Sequence, residues 1–317
     1  MKALCGALLA LVVVASAHAQ TYPTRPVRLI VGIAPGGAPD IVARVLAERI
    51  SRDLGAPIVV ENHAGSNGNI AADIVAKAAP DGHTLLLGQD AIIAINPHLY
   101  RMPFDSLKDL IPIATVAKNQ FVLAINPTLP AKTFAEFIDY ARKSKPSLAY
   151  ASGGNGSQHH LSMELLKQRA GIDLLHVPFK SGAPATTATV AGDTAAMFAG
   201  TSVAPQIRAG KLRAIATTGP KRSPEFPDLP TIGEFYPGYE IEIWLGIFAP
   251  VGTPASAVQR LRSEIAKALS DEQVAAKFRS SGGLEPLVTS PDEFVALIRR
   301  DHDKYGKVVK DVGVKVD

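Results

Sequence analysis

Val27-Arg28-Leu29-Ile30-Val31, followed by Ala34-Pro35-Gly36-Gly37-Ala38-Pro39-Asp40, is the stretch that decides the fold. Five β-prone residues run into a glycine turn. The next apolar positions, Ile41, Val42, Val45, Leu46, Ile50 and Leu54, recur at helical spacing until Gly55 offers a C-cap. A second βα unit follows: strand Ile58-Val59-Val60, loop Glu61 to Gly68, and a helix carrying Ile70, Ile74 and Val75. A third strand, Thr84 to Gly88, ends at Gln89-Asp90-Ala91. Strands alternating with helices over short connections predict a mostly parallel sheet, with ligands gathering at the carboxyl ends of its strands.

Further along, Phe121 to Ile125 reads as a strand stopped by Asn126-Pro127-Thr128-Leu129-Pro130, with a helix around Phe134 to Ala141. The βα pattern then restarts: strand Leu148 to Ala151, loop Ser152 to Ser157, helix Leu161 to Gln168; strand Leu174 to Phe179, loop Lys180-Ser181-Gly182, helix Thr186 to Ala191; strand Ala195 to Ala199 and loop Gly200-Thr201-Ser202. Pro220 to Pro237 interrupts the pattern before a strand between Tyr239 and Phe248. Pro254 to Leu269, Asp271 to Ser280 and Pro291 to Val309 then read as surface helices. The chain thus leaves one lobe, builds a second and returns, with residues 20–123 and 246–317 forming lobe one and 124–245 lobe two.

Upstream, Lys2, the apolar run Leu8 to Ala15 and Ala17-His18-Ala19 form an export signal over residues 1–19, too short to span a bilayer. The single cysteine, Cys5, falls inside it, which leaves the mature chain without disulfides, thiolate metal sites or cysteine nucleophiles. Without Lys2 the 33 basic residues drop to 32 against 29 acidic. So small and scattered an excess predicts neither nucleic-acid binding nor insertion into a membrane.

Five loops of small residues, at Gly36-Gly37, Ser66-Asn67-Gly68, Asn155-Gly156-Ser157, Ser181-Gly182 and Gly200-Thr201, fall where a strand ends and a helix begins. A helix start presents unpaired N–H groups and about half a positive charge, so such a loop holds a carboxylate without Arg or Lys. Each loop alone also reads as a tight βα turn needing positive φ. Enzyme signatures are absent: no Gly-Lys-Ser/Thr phosphate loop, no Gly-x-Gly-x-x-Gly and no Gly-x-Ser-x-Gly elbow. His159 and His160 are adjacent, about 100° apart on a helix, and cannot share a metal as an i,i+4 pair does. His160 either donates to a ligand oxygen or packs the first helical turn, His176 reads as a core histidine and His302 as a surface one. Asp40 is expected to accept N–H bonds and fix the first loop. Asp90 either faces the ligand from the cleft edge or caps the following turn.

The order Tyr22-Pro23-x-Arg25-Pro26-Val27-Arg28, Pro35-Gly36-Gly37-x-x-Asp40-x-x-Ala43-Arg44, Glu61-Asn62-x-x-Gly65, Asp81-Gly82-His83-Thr84 and Asn96-Pro97-x-Leu99-Tyr100 resembles the Bug family, extracytoplasmic receptors of tripartite tricarboxylate transporters. Ser152-Gly153-x-x-Gly156-Ser157-x-x-His160-Leu161-x-x-Glu164, Val177-Pro178-Phe179-Lys180-Ser181 and Phe198-Ala199-Gly200 extend the match through nearly the whole mature chain. The resemblance implies a type II periplasmic binding protein, each lobe a mostly parallel sheet flanked by helices, closing as a monomer on a small carboxylate and serving integral membrane transporter subunits. It implies no cofactor, metal or catalysis. Carried residue by residue, it puts Ala34, Gly37, Ala38, Ser66, Asn67, Gln89 and Asp90 of lobe one at the ligand, with Ser152, Asn155, Ser157, His160, Lys180, Ser181, Gly200 and Thr201 of lobe two. Pro35, Gly36, Asp40, Gly65, Gly68 and Gly156 shape the loops. A sensor for a membrane signalling protein and an enzyme on the same fold are the competing readings.

The chain departs from the family in two places. Gly32 stands where proline is common, which predicts a roomier or more mobile first loop. Gln89-Asp90 stands where small hydroxyl residues are usual, which predicts a ligand with a donor or cationic group opposite Asp90.

Overall fold

The computed structural model describes residues 22–281, 283–314 and 316; the expected export signal lies outside the described residues. The strands are β1 (Val27–Val31), β2 (Ile58–Asn62), β3 (Thr84–Gln89), β4 (Leu110–Ile125), β5 (Leu148–Ser152), β6 (Leu174–Pro178), β7 (Ala196–Gly200), β8 (Arg213–Thr217), β9 (Glu242–Pro250) and β10 (Glu285–Pro286). The helices are α1 (Ala38–Leu54), α2 (Asn69–Ala76), α3 (Phe134–Lys143), α4 (Gln158–Ala170), α5 (Gly182–Ala191), α6 (Ala204–Arg208), α7 (Ala255–Leu269), α8 (Glu272–Ser280) and α9 (Pro291–Val312).

β4 belongs to both lobes. Through Gln120 it pairs antiparallel with β9 in a sheet ordered β2-β1-β3-β9-β4, and β10 adds to its far side. From Phe121 onward it lies between β7 and β8 in a second sheet that continues to β5 and β6. The changeover at Gln120/Phe121, and the pairing of β9 with lobe one from Glu242 onward, both come a few residues before the bounds expected from sequence. The first half of β4 escaped the sequence reading because Pro112 and the polar run Lys118-Asn119-Gln120 do not look strand-like. The strand tolerates Pro112 at a register shift, where a missing N–H costs little.

Register turns the two lobes toward each other. In lobe one, β1, β2 and β3 are parallel, and Val31 lies opposite both Asn62 and Leu87, so their carboxyl ends share an edge. Gln89 at that edge pairs with Leu245, which pairs with Ala117, close to where β4 leaves the lobe. In lobe two, β5, β6 and β7 are parallel, and Gly200 at the carboxyl end of β7 faces Phe121, the residue at which β4 enters. Both sets of strand-end loops therefore open onto the crossing.

Helix faces supply the cores. Val42, Leu46, Ile50 and Leu54 of α1 are buried against the first sheet, each contributing roughly 1.5–3 kcal/mol by removal from water. α9, expected at the surface, is amphipathic and joins the lobes: Phe294 and Ile298 pack into a lobe-one cluster, while Tyr305, Val308 and Val309 pack with the lobe-two core.

Candidate functional site

The first lobe-one loop is built around a carboxylate. Asp40, 2% exposed, accepts from the Gly36 N–H at 2.9 Å, from Asn62 Nδ2 at 2.9 Å and from Arg44 Nε at 3.0 Å. Burial alone would raise its pKa, but the bonds from Arg44, Gly36 and Asn62 outweigh that and hold the carboxyl below its ordinary value. Gly37 begins α1 in extended backbone with no side-chain cap, so the first-turn N–H groups of the helix are left without a side-chain acceptor. Ala34, Pro35 and Gly36 are exposed, Gly37 and Ala38 half-buried.

In the second loop, four successive residues take positive φ: Gly65 (137°), Ser66 (46°), Asn67 (52°) and Gly68 (90°). Left-handed backbone costs a residue such as Ser66 roughly 1–2 kcal/mol. The loop is pinned by asparagines: Asn67 Nδ2 donates to Asn96 Oδ1 at 2.7 Å, and Asn96 Nδ2 returns a bond to the Asn67 carbonyl at 3.0 Å. The Asn67 Nδ2 is thus engaged in the scaffold, although Asn67, like Ser66, is exposed. Gly32, expected to loosen the first loop, does the opposite. A Cβ there would lie 2.8 Å from the Gly68 Cα, so two glycine backbones press the first and second loops together.

Asp90 requires a larger correction. Its side chain is fully buried and makes no cap; it accepts a hydrogen bond from Nε2 of Gln158, at the start of α4 in the other lobe. Burial first, then the nearby Asp301 carboxylate, pushes its pKa well above the ordinary range, and Oδ1 has no hydrogen-bond partner among the described residues. A buried carboxyl of this kind offers no anion to a ligand ammonium, so the reason for expecting a cationic ligand group falls away. Gln89, one residue earlier, is half-buried.

In lobe two, Ser152 is completely buried and its Oγ shares a 2.6 Å hydrogen bond with His176 Nε2. His160, also buried, accepts the Gly156 N–H on Nδ1 at 3.1 Å and stacks on His176, with ring centroids 3.9 Å apart. Burial lowers the pKa of both rings, His176 to about 4, helped there by its neighbour His160. His160 therefore packs the loop from beneath, and Ser152 does the same. Ser157 caps α4, accepting from the His160 N–H and donating to the Gly154 carbonyl. Gly156 abuts Leu99 of lobe one, where a Cβ would come within 2.7 Å of Cδ1. Thr201 is 4% exposed, with its hydroxyl on Asn119 Oδ1 at 3.4 Å and its side chain filling the space beside Gly283. It seals the crossing between lobes and does not line an open loop.

Asn155, Lys180 and Ser181 are exposed, and Gly200 is half-buried. Ser181 begins α5 with no side-chain cap, as Gly37 does for α1 and Gly68 for α2. The loops carrying Gly153 and Gly182 touch: a Cβ on Gly153 would lie 3.5 Å from the Gly182 nitrogen. Gln158 and Tyr305 carry no sequence signal, because Gln158 gains its role only from Asp90 in the other lobe and Tyr305 from the lobe-two core that α9 reaches. Among the described residues no group of three or more His, Cys, Asp or Glu is placed to hold a metal, and no helix is long and apolar enough to cross a membrane.

A bilobal α/β receptor with uncapped helix starts facing each other across a shared strand belongs to the class of solute-binding proteins, and comparison with known proteins narrows the class. The family described as tripartite tricarboxylate transporter family receptor matches residues 42–314, and the chain belongs to it. Protein BugT of Bordetella pertussis is 35% identical over 308 residues, covering 96% of this chain and 94% of the relative. An R. palustris protein solved with adipate superposes with a TM-score of 0.83 at 35% identity, over 93% of this chain and 99% of the other. MatC from Rhodopseudomonas palustris with bound malate gives 0.78 at 32%, over 91% and 100%. The periplasmic binding protein BugD gives 0.80 at 33%, over 93% and 99%.

Proposed function

We propose that the chain is a periplasmic receptor that captures a small carboxylate by closing its lobes and hands it, as a monomer, to the membrane subunits of a tripartite transporter. One observation carries the reading: α1, α2 and α5 start uncapped on strand-end edges that face each other across β4, so backbone N–H groups from both lobes meet in one cleft. The adipate and malate held by two structural neighbours are of the chemical class such donors recognise. Within the cleft, Ala34, Gly37, Ala38, Ser66 and Gln89 line one wall, and Asn155, Lys180, Ser181 and Gly200 the other. Charge-assisted hydrogen bonds contribute roughly 1.5–3 kcal/mol each. Four or five support micromolar binding, about −8 kcal/mol, after association and closure costs. Among the described residues the one hydrogen bond between a serine hydroxyl and a histidine ring, Ser152 with His176, has its serine completely buried under the loop.

The test is thermal unfolding of refolded, ligand-free protein against dicarboxylates, tricarboxylates, amino acids and aromatic acids. A ligand at 100 times its Kd adds about 2.7 kcal/mol. A shift confined to one carboxylate class is expected; a shift from none of them overturns the reading.

A further inference from the structure

The geometry points to His159 as the side chain that reads a second polar group at the far end of the ligand, an inference that rests on the carboxylate-receptor reading. The imidazole sits where the lobe-two loops converge: a Cβ on Gly153 would lie 3.1 Å from Nδ1, and one on Gly182 would lie 3.7 Å from Nε2. At Gly153 a side chain would crowd the ring, while at Gly182 a Cβ would make only ordinary contact with it. One ring face packs on Phe121, with centroids 4.7 Å apart, at the residue where β4 enters lobe two. His159 is thus anchored beside the crossing, next to the uncapped start of α5.

Its hydrogen bonding sets it apart from its neighbours. His160 and His176 each spend a ring nitrogen on the loop, through Gly156 and Ser152. His159 has no hydrogen-bond partner for either nitrogen among the described residues, although the residue is half-buried. A half-buried donor and acceptor lacking partners is costly once water is shut out, and closure on an apolar ligand end would leave both unpaired. A carboxylate or hydroxyl at that end relieves the cost. Burial lowers the His159 pKa to about 4, so near neutral pH the ring is uncharged and supplies one N–H donor and one acceptor. Lys180, exposed on the adjoining loop and without an ion pair among the described residues, adds a positive charge nearby. The ligand class that fits is a carboxylate with a second carboxylate or a hydroxyl several bonds away, held at one end by lobe-one N–H groups and at the other by His159.

The experiment compares the wild-type protein with H159F and H159Q by calorimetry, using adipate, malate and hexanoate. H159F keeps the ring stacked on Phe121 and deletes both nitrogens; H159Q restores a donor and an acceptor without the ring. The expected result is a tenfold or greater loss of affinity for the dicarboxylate in H159F, partial recovery in H159Q, and hexanoate binding that is unchanged or better in H159F. Melting of the unliganded variants checks that the fold is kept. Equal losses for hexanoate and dicarboxylate, or no loss for either, overturn the assignment of His159 while leaving the receptor reading intact. Wild-type binding of hexanoate as tightly as adipate overturns it as well. Failure of wild type to bind any of the three, or any acid of the wider panel, overturns the receptor reading itself.

Discussion

Replacing Asp90 with asparagine should make the protein more stable than wild type near neutral pH, by an amount that grows with pH. Asparagine keeps the size of the side chain and an oxygen that accepts from Gln158, so the bond between the lobes survives. What it removes is the ionisable group, which burial and the Asp301 carboxylate hold far above the ordinary carboxyl range. With a raised folded-state pKa, the native protein keeps a proton that the unfolded chain gives up above about pH 3.9. The native acid therefore contributes fully below that pH, and its contribution is lost as pH rises toward the folded value. Asparagine does not titrate. The difference, variant minus wild type, should climb by about 1.4 kcal/mol for each pH unit above roughly 4 until the folded pKa is passed. Urea unfolding at pH 5, 6 and 7 reads the slope directly. A difference that stays flat, or a variant less stable by the same amount at every pH, would show that Asp90 is ionised in the folded protein and refute the reasoning.

The remaining expectations concern the first loop. Gly32→Ala would force two backbones apart, since the added Cβ meets the Gly68 Cα at 2.8 Å and no side chain can yield. A loss of roughly 1–3 kcal/mol in urea unfolding, together with weaker carboxylate binding, is expected, and wild-type behaviour in both would deny that the loops are pressed together. Gly37→Val has the opposite signature. Gly37 already lies in extended backbone, and the new Cβ meets only the flexible end of Ile33, so stability should hardly change. Affinity should drop at least tenfold as the branched side chain covers the first-turn N–H groups; unchanged affinity removes Gly37 from the site. Asp40→Asn should destabilise by roughly 1–3 kcal/mol at neutral pH, since three donors lose a charged acceptor. Because the Asp40 pKa is lowered on folding, its contribution is present above about pH 4 and lost as pH falls through the folded value, so the gap should narrow steadily on acidification below about pH 4. A gap that does not narrow at all on acidification would contradict the assigned shift.

The βα units were legible because their signals are local. Val27–Val31 and Leu148–Ser152 read as strands from five residues each, and the glycines after them mark where a helix must start. What stayed hidden depends on partners far away in sequence. β4 looks like a strand only from Phe121, because its polar lobe-one half gains its character from pairing with β9 some 120 residues later. α9 reads as a surface helix until Tyr305 and Val309 meet a lobe-two core they could not announce. Asp90 read as a cleft residue because it ends a strand at the ligand-binding edge. Only the position of Gln158 across the lobes shows that the carboxyl turns inward.

These inward turns reassign the chemistry of the cleft. Of the polar side chains carried over from the family resemblance, Asn67, Asp90, Ser152, His160 and Thr201 are all engaged in holding loops or lobes together. In the proposed site, recognition then falls to backbone N–H groups at uncapped helix starts and to a few side chains, Ser66 and Gln89 on one wall and Asn155, Lys180 and Ser181 on the other. Backbone donors recognise a carboxylate without regard to the rest of the molecule, which suits a scaffold that related receptors share. Discrimination among carboxylates must then come from side chains near the donors. Of these, His159 is the one placed beside the crossing, half-buried and without a hydrogen-bond partner among the described residues. A receptor built this way should exchange one carboxylate for another by substitution at His159 or Lys180, while substitutions at Gly32, Asp40 or Asn96 should weaken every ligand alike, because they deform the donors that all ligands use.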